Sequence, residues 1–242
     1  MVVAVLAAVI VDDQLLEQLA TAPGLFHVGA DGKAFSRALT VQPLRALLDV
    51  LEPGMRTLET GCGGTTVVFA AAGTKHTVVT PSEDEAERVR AFCRDQGISL
   101  DQVEFRIGSS EAVLPGWSEK LDLVLVDGAH RVPFPFLDWY FTASALKVGG
   151  RLYLDDVPIP AVHLLFRFLC SEPEWRLDSI HSDKLAVFTK VAEPPEDATR
   201  DWELQRFNLP WKYGHVPWSR RWRRLRDQAM IGTRLRRRLG RA

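Results

Sequence analysis

From residue 57 onward, short runs rich in β-branched and apolar residues alternate with longer stretches whose apolar positions recur at helical spacing. That alternation marks parallel strands joined by crossover helices. Strands are expected at 57–60, 76–80, 103–107, 121–126 and 151–154, with two more strand-like runs at 175–180 and 184–191. The best-marked helix covers 82–96: Ser82 and Glu85 form a capping box, Ala86, Val89, Phe92 and Cys93 share one face, and Gly97 ends it. A second helix is expected from about 135 to 147, stopped by Gly149 and Gly150. Residues 162–169 form a further apolar stretch, and 181–183 fit a hairpin turn, so the last two strands should pair antiparallel. The pattern predicts an α/β three-layer sandwich around a mostly parallel seven-stranded sheet that ends in an antiparallel hairpin.

The flanks read differently. Residues 1–11 are almost wholly apolar, but they fall short of the roughly 20 a spanning helix needs, and no basic residue precedes them. Asp12 and Asp13 close the run, which is expected to pack on the domain. The organisation expected is an N-terminal helical extension over 1–50, the sheet domain over 51–193, and a C-terminal extension from Pro194 to the end. Charge sharpens that last boundary: residues 212–242 carry +10 and the rest of the chain −11. Within the tail, Trp222, Leu225, Ala229, Leu235 and Leu239 recur near helical spacing among arginines. A basic amphipathic helix of this kind suits a membrane surface or an acidic protein partner, or it folds back on the acidic domain. No RNA-binding signature accompanies it, so nucleic acid is not the expected partner. Cys62, Cys93 and Cys170 form neither a disulfide framework nor a zinc pattern, which favours a reducing cytoplasm.

Residues 57–66, TLETGCGGTT, carry the most chemistry. A buried strand ends in Glu59, and Gly61, Gly63 and Gly64 follow before a helix. Glycines there allow a tight turn and let a ligand approach main-chain N–H groups closely. Thr66 stands where a dinucleotide fingerprint has Gly or Ala, and Glu59 would repel a phosphate while suiting the cationic methionine end of S-adenosylmethionine.

In these features the sequence resembles the class I S-adenosylmethionine-dependent methyltransferases, whose first motif is an acid followed by G-x-G at the end of the first strand. The resemblance covers about residues 44–191 and implies a Rossmann-like sheet with Gly61, Cys62 and Gly63 as backbone contacts to the donor. The family usually ends its second strand with an acid for the ribose hydroxyls; this chain has Thr80, Pro81, Ser82 and Glu83 instead. Thr80, Ser82 or Glu83 substitute there, or Ser82 and Glu83 only begin the helix. Ser109 and Ser110 stand where the family faces the adenine, and they equally suit a short helix cap.

Asp127 ends the fourth strand and Asp155 and Asp156 the fifth, at the sheet edge where ligands bind in open α/β folds. Three converging carboxylates suit a hard cation such as Mg2+, and the layout resembles the metal-dependent catechol O-methyltransferase-like branch. That branch has an amide where Asp156 stands. His130, three residues past Asp127, occupies the place of that branch's catalytic base, and imidazole titrates in the right range to take a hydroxyl proton. Pro133, Pro135 and five aromatics up to Phe141 form either a pocket wall or core; with GxGG, DGAH and the double Asp they resemble an uncharacterised subgroup of the family.

The expected function is therefore methyl transfer from S-adenosylmethionine to a small hydroxylated metabolite or sugar, with Asp127 and His130 at the chemistry. Two alternatives remain open at this point: an NAD(P)-dependent oxidoreductase on the same sheet, against which Glu59, Thr66 and the terminal hairpin argue, and a non-catalytic binding module.

Overall fold

The computed structural model describes residues 13–22, 25–28, 31, 33, 38–195 and 204–208. The chain divides into two compact units, 1–196 and 197–242; in the second, Arg206–Asn208 forms a turn of 3-10 helix. The apolar run at 1–11 and the basic amphipathic segment lie outside the described residues.

In the first unit, helices α1 (Asp13–Thr21) and α2 (Val41–Leu48) precede β1 (Arg56–Thr60), α3 (Gly64–Ala71), β2 (Lys75–Thr80), α4 (Glu83–Asp95), β3 (Val103–Ile107) and the single turn α5 (Ser110–Val113). Then come β4 (Leu121–Val126), α6 (Phe134–Ala143), β5 (Leu146–Leu154), α7 (Pro160–Ser171), β6 (Trp175–His181) and β7 (Leu185–Lys190). The strands lie in the order β3-β2-β1-β4-β5-β7-β6. β1 to β5 run parallel, and β7 pairs antiparallel with both β5 and β6. This is the Rossmann-like sheet with terminal hairpin that the alternation of runs implies.

Side-chain alternation divides the core in two. Val78, Leu123, Leu125, Tyr153 and Val187 join Leu15, Leu16, Leu19, Leu44 and Leu47 of α1 and α2 and the apolar faces of α3 and α4. Their in-register neighbours Val124, Leu152 and Leu154 alternate to the other face and are equally buried. The order reverses between β1 and β4, whose pairing ends at Thr60 and Val126. A crevice opens at that carboxyl edge.

Two local expectations need correction. The helix expected to reach residue 147 stops at Ala143, and Leu146 already begins β5. Gly149 and Gly150 end no helix: the pairing jumps from Leu121↔Leu146 to Leu123↔Arg151, with Gly149 at φ +88°, so they form a bulge in the strand. What ends α6 is remote in sequence. The buried Lys190 ammonium donates at 2.9 Å to the carbonyl of Ala143, filling the place of a missing intrahelical donor, and at 2.9 Å to that of Leu146 at the start of β5. The capping box of α4 also forms only by half. The Glu85 N–H donates to Ser82 Oγ at 3.2 Å, but the Glu85 carboxylate meets His27 instead.

At the hairpin tip, Ser182 and Asp183 both take positive φ, near +50°, and the Lys184 N–H closes the turn on the His181 carbonyl at 3.0 Å. That is the type I′ geometry whose twist matches paired strands.

Candidate functional site

Glu59 shapes the glycine turn from behind. Its buried carboxylate accepts hydrogen bonds from Thr65 Oγ1 at 2.7 Å and from Thr66 Oγ1, and faces His76 Nε2 at 3.2 Å. An acid under the first turn of α3 also complements the helix N-terminus. Thr66 Oγ1 accepts the Gly63 N–H at 3.0 Å, so strand end, turn and helix start are tied together. Gly61 sits at φ +97°, where an added Cβ would lie 2.4 Å from the Asp127 carbonyl oxygen. Only glycine lets β1 and β4 approach this closely. Burial and the nearby Glu59 push the Cys62 thiol far up, so it is no nucleophile.

The turn forms one wall of a cavity of about 440 Å3. Thr80 and Ser82 from the end of β2, Ser109 and Ser110 at the start of α5, and Asp127, His130 and Asp156 line it as well. Residues ahead of the sheet close it: Leu19, His27, Ala38, Leu39 and Leu44 all contribute. The segment carrying His27 is anchored on α4, where Arg88 Nε donates to the Phe26 carbonyl at 2.6 Å and the Phe26 ring packs edge-on against Phe92. His27 Nδ1 lies 2.9 Å from Glu85 Oε1, which places the imidazole over Gly63.

At the chemical end, His130 Nε2 lies 3.5 Å from Asp127 Oδ1 and 3.2 Å from Asp156 Oδ2. Lys184, from the hairpin turn, lies 3.1 Å from Asp155 Oδ2 and 3.3 Å from Asp156 Oδ1. Hydrogen bonding to Asp127 raises the His130 pKa above its usual 6.5, although burial opposes it. Burial raises the Asp155 carboxyl to about 7, with Lys184 pulling the other way. Asp156 holds φ +56°, a left-handed conformation for a non-glycine residue, immediately after β5.

Asp138 on α6 is fully buried against Thr60, Ser110 and Gly128, while the aromatics around it are partly or largely exposed. Burial outweighs the Ser110 and Thr60 hydroxyls and pushes this carboxyl up to about 6, from 3.8. As pH rises from about 4 to 6, the unfolded chain ionises first, so stability falls across that window and levels off above it. The loss is about 3 kcal/mol. Asp138→Asn is expected to recover that order of stability at pH 7 and flatten thermal-melt midpoints between pH 4 and 6; an unchanged pH slope would show the group is not titrating there.

Of the residues expected to act, Gly61, Cys62, Gly63, Thr80, Ser82, Ser109, Ser110, Asp127, His130 and Asp156 line one cavity. Glu59 and Thr66 lie behind its wall, Glu83 pairs with Arg90 at 2.7 Å, and Asp155 is buried beside Lys184. Asp127, His130 and Asp156 each bring a ligand atom within 4.8 Å of the others, so imidazole takes the place expected for a third carboxylate. Sequence reasoning missed His27 and Lys184, whose chain positions give no signal, and read Glu85 only as a cap.

Among the described residues no helix is long and apolar enough to cross a membrane. Residues 58–157 match the family model for a methyltransferase domain. No match was found among curated proteins. Among solved structures, a cofactor-bound protein, Rv0187 from MTB, superposes with a TM-score of 0.61 at 17% identity, over 76% of this chain and 93% of that one. A methyltransferase from Geobacter sulfurreducens gives 0.52 at 14% identity, over 62% and 78%. The chain spans 48% of TrmN from Thermus thermophilus, with 62% of its own length covered at 20% identity and a TM-score of 0.46.

Proposed function

We propose that the chain is a class I S-adenosylmethionine-dependent methyltransferase that methylates a hydroxyl group of a small molecule, with His130 as the base; the methyltransferase-domain match over residues 58–157 supports the reading. The observation that carries the reading is a single cleft lined by both the Gly61 to Gly64 turn and His130. A cavity of about 440 Å3 suits a small acceptor beside the donor. Its carboxylates, Glu85, Glu111, Asp127 and Asp156, favour the cationic sulfonium and disfavour a polyanionic acceptor.

Transfer is a direct displacement. The acceptor oxygen attacks the sulfonium methyl, an O–C bond forms as the C–S bond breaks, and the sulfur leaves as a neutral thioether. Alignment in the cleft supplies most of the rate, because the donor is already activated. His130 Nε2 lies beside Asp156 and Asp127, so these carboxylates favour the tautomer protonated on Nε2, which leaves the lone pair on Nδ1 to take the hydroxyl proton. Backbone groups of Gly61, Cys62 and Gly63 hold the methionine end, Thr80, Ser82 and Glu85 stand nearest the end of β2 for the ribose, and Ser109 and Ser110 stand for the adenine.

Mg2+ fits the site poorly. Both oxygens of Asp156 already face a donor, Oδ1 toward Lys184 and Oδ2 toward His130, and imidazole is no preferred ligand of that ion. No step is therefore routed through a metal.

Calorimetric titration with S-adenosylmethionine and its demethylated product tests the donor site, and labelled-methyl transfer to a panel of hydroxylated metabolites tests the acceptor class. Saturable binding of both, with none of NAD(P), is expected. No donor binding at millimolar supply, or transfer confined to amines or nucleic acid, would reject the reading.

A further inference from the structure

The poor fit of a divalent ion points to what balances the carboxylates instead. Asp127, Asp155 and Asp156 converge at the ends of β4 and β5, and Asp155 is 1% exposed. Gathering three carboxylates at low exposure needs a proton on one of them or a cation among them. The chain supplies one from the far end of the sheet. Lys184 ends the two-residue hairpin turn between β6 and β7, and its carbonyl accepts the Val157 N–H at 3.0 Å, stitching the turn to the residue after Asp156. Its ammonium then bridges Asp155 and Asp156, 3.1 and 3.3 Å away.

We propose that Lys184 is the resident cation of this site, a positioning residue that takes the place of a divalent metal and holds Asp156 against His130. The inference rests on the methyl-transfer reading only for its catalytic consequence; the charge balance stands on the residues themselves. Asp156 connects the two ends. One oxygen faces Lys184 and the other faces His130 Nε2, and the left-handed backbone at φ +56° is the turn that presents both. With Lys184 in place, His130 Nε2 occupies the gap between Asp127 and Asp156, 3.5 and 3.2 Å from their oxygens, and a metal would have to displace both the ammonium and the imidazole.

The test is titration of the full-length protein and its Lys184→Ala variant with MgCl2 and MnCl2 by calorimetry, with circular-dichroism melts to check folding. The wild type is expected to show no saturable metal binding at millimolar concentration, whereas Lys184→Ala gains a site that Asp156→Asn then abolishes. Lys184→Arg, which keeps the charge, is the companion should the alanine variant fail to fold; it is expected to remain metal-free. On an acceptor found by the panel, chelator is expected to leave wild-type turnover unchanged, and Lys184→Ala to lower kcat by about 10–100-fold with the donor Kd hardly moved, as for a lost partner of an oriented histidine. Saturable wild-type binding that is lost in Asp127→Asn, or metal uptake by Lys184→Arg equal to that of the alanine variant, would overturn the proposal. Failure of donor binding would sink the methyl-transfer reading without touching the metal titrations.

Discussion

His130→Ala is expected to lower kcat by about 10²–10⁴-fold, the range a positioned general base contributes. The donor Kd should change little, because the proposed donor contacts come from the glycine turn and not from the imidazole. The pH profile gives the more discriminating readout. Asp127 holds the His130 pKa above 6.5, and the base works only when neutral, so wild-type kcat/KM should rise with pH through a value above 6.5. That rise should vanish in His130→Ala. In Asp127→Asn the loss of the neighbouring charge lowers the histidine's pKa, so the rise should move to lower pH while the plateau falls. An alanine variant with the wild-type profile and near-wild-type kcat would remove His130 from the chemistry.

Gly61→Ala carries the second large effect. A Cβ there meets the Asp127 carbonyl oxygen at 2.4 Å, on a backbone at φ +97° that L-residues rarely adopt. Relief requires β1 and β4 to separate at the point where the cleft begins. Strain and overpacking together are expected to cost about 3 kcal/mol, roughly 10 °C in Tm, and to abolish measurable donor binding. Gly97→Ala is the control, since Gly97 also has positive φ, +67°, but nothing within 4 Å of its missing Cβ. It should cost about 1 kcal/mol and leave the donor bound. Equal melting points for the two variants would refute the close-approach argument.

The fold was legible because its determinants are local. Alternating runs, the Ser82 cap and the turn before Lys184 each act within a few residues. The seven strands follow from them, including the antiparallel pair. Where reading failed, the cause lay far along the chain: α6 ends where Lys190 reaches the Ala143 carbonyl from 47 residues away, and the Gly149 bulge depends on the register with β4. The same division holds at the cleft. Gly61, Asp127 and His130 stand at strand ends, whose place in an open sheet is fixed by topology. Lys184 arrives through a hairpin and His27 from a segment ahead of β1, and neither position carries a pattern that distinguishes it from a surface residue. Glu59 shows a third case. Its residue type and place were plain, but whether the carboxylate faced the cleft or the first turn of α3 was decided by Thr65, Thr66 and His76 around it.

The acid-rich lining of the cleft bears on the end of the catalytic cycle as well as its start. A sulfonium arrives positively charged and departs uncharged once its methyl is gone, so Glu85, Glu111, Asp127 and Asp156 grip the incoming species harder than the spent one. Discharge of the spent nucleoside is thus favoured by the same electrostatics that recruit its precursor, and turnover gains a forward bias that rising salt should weaken.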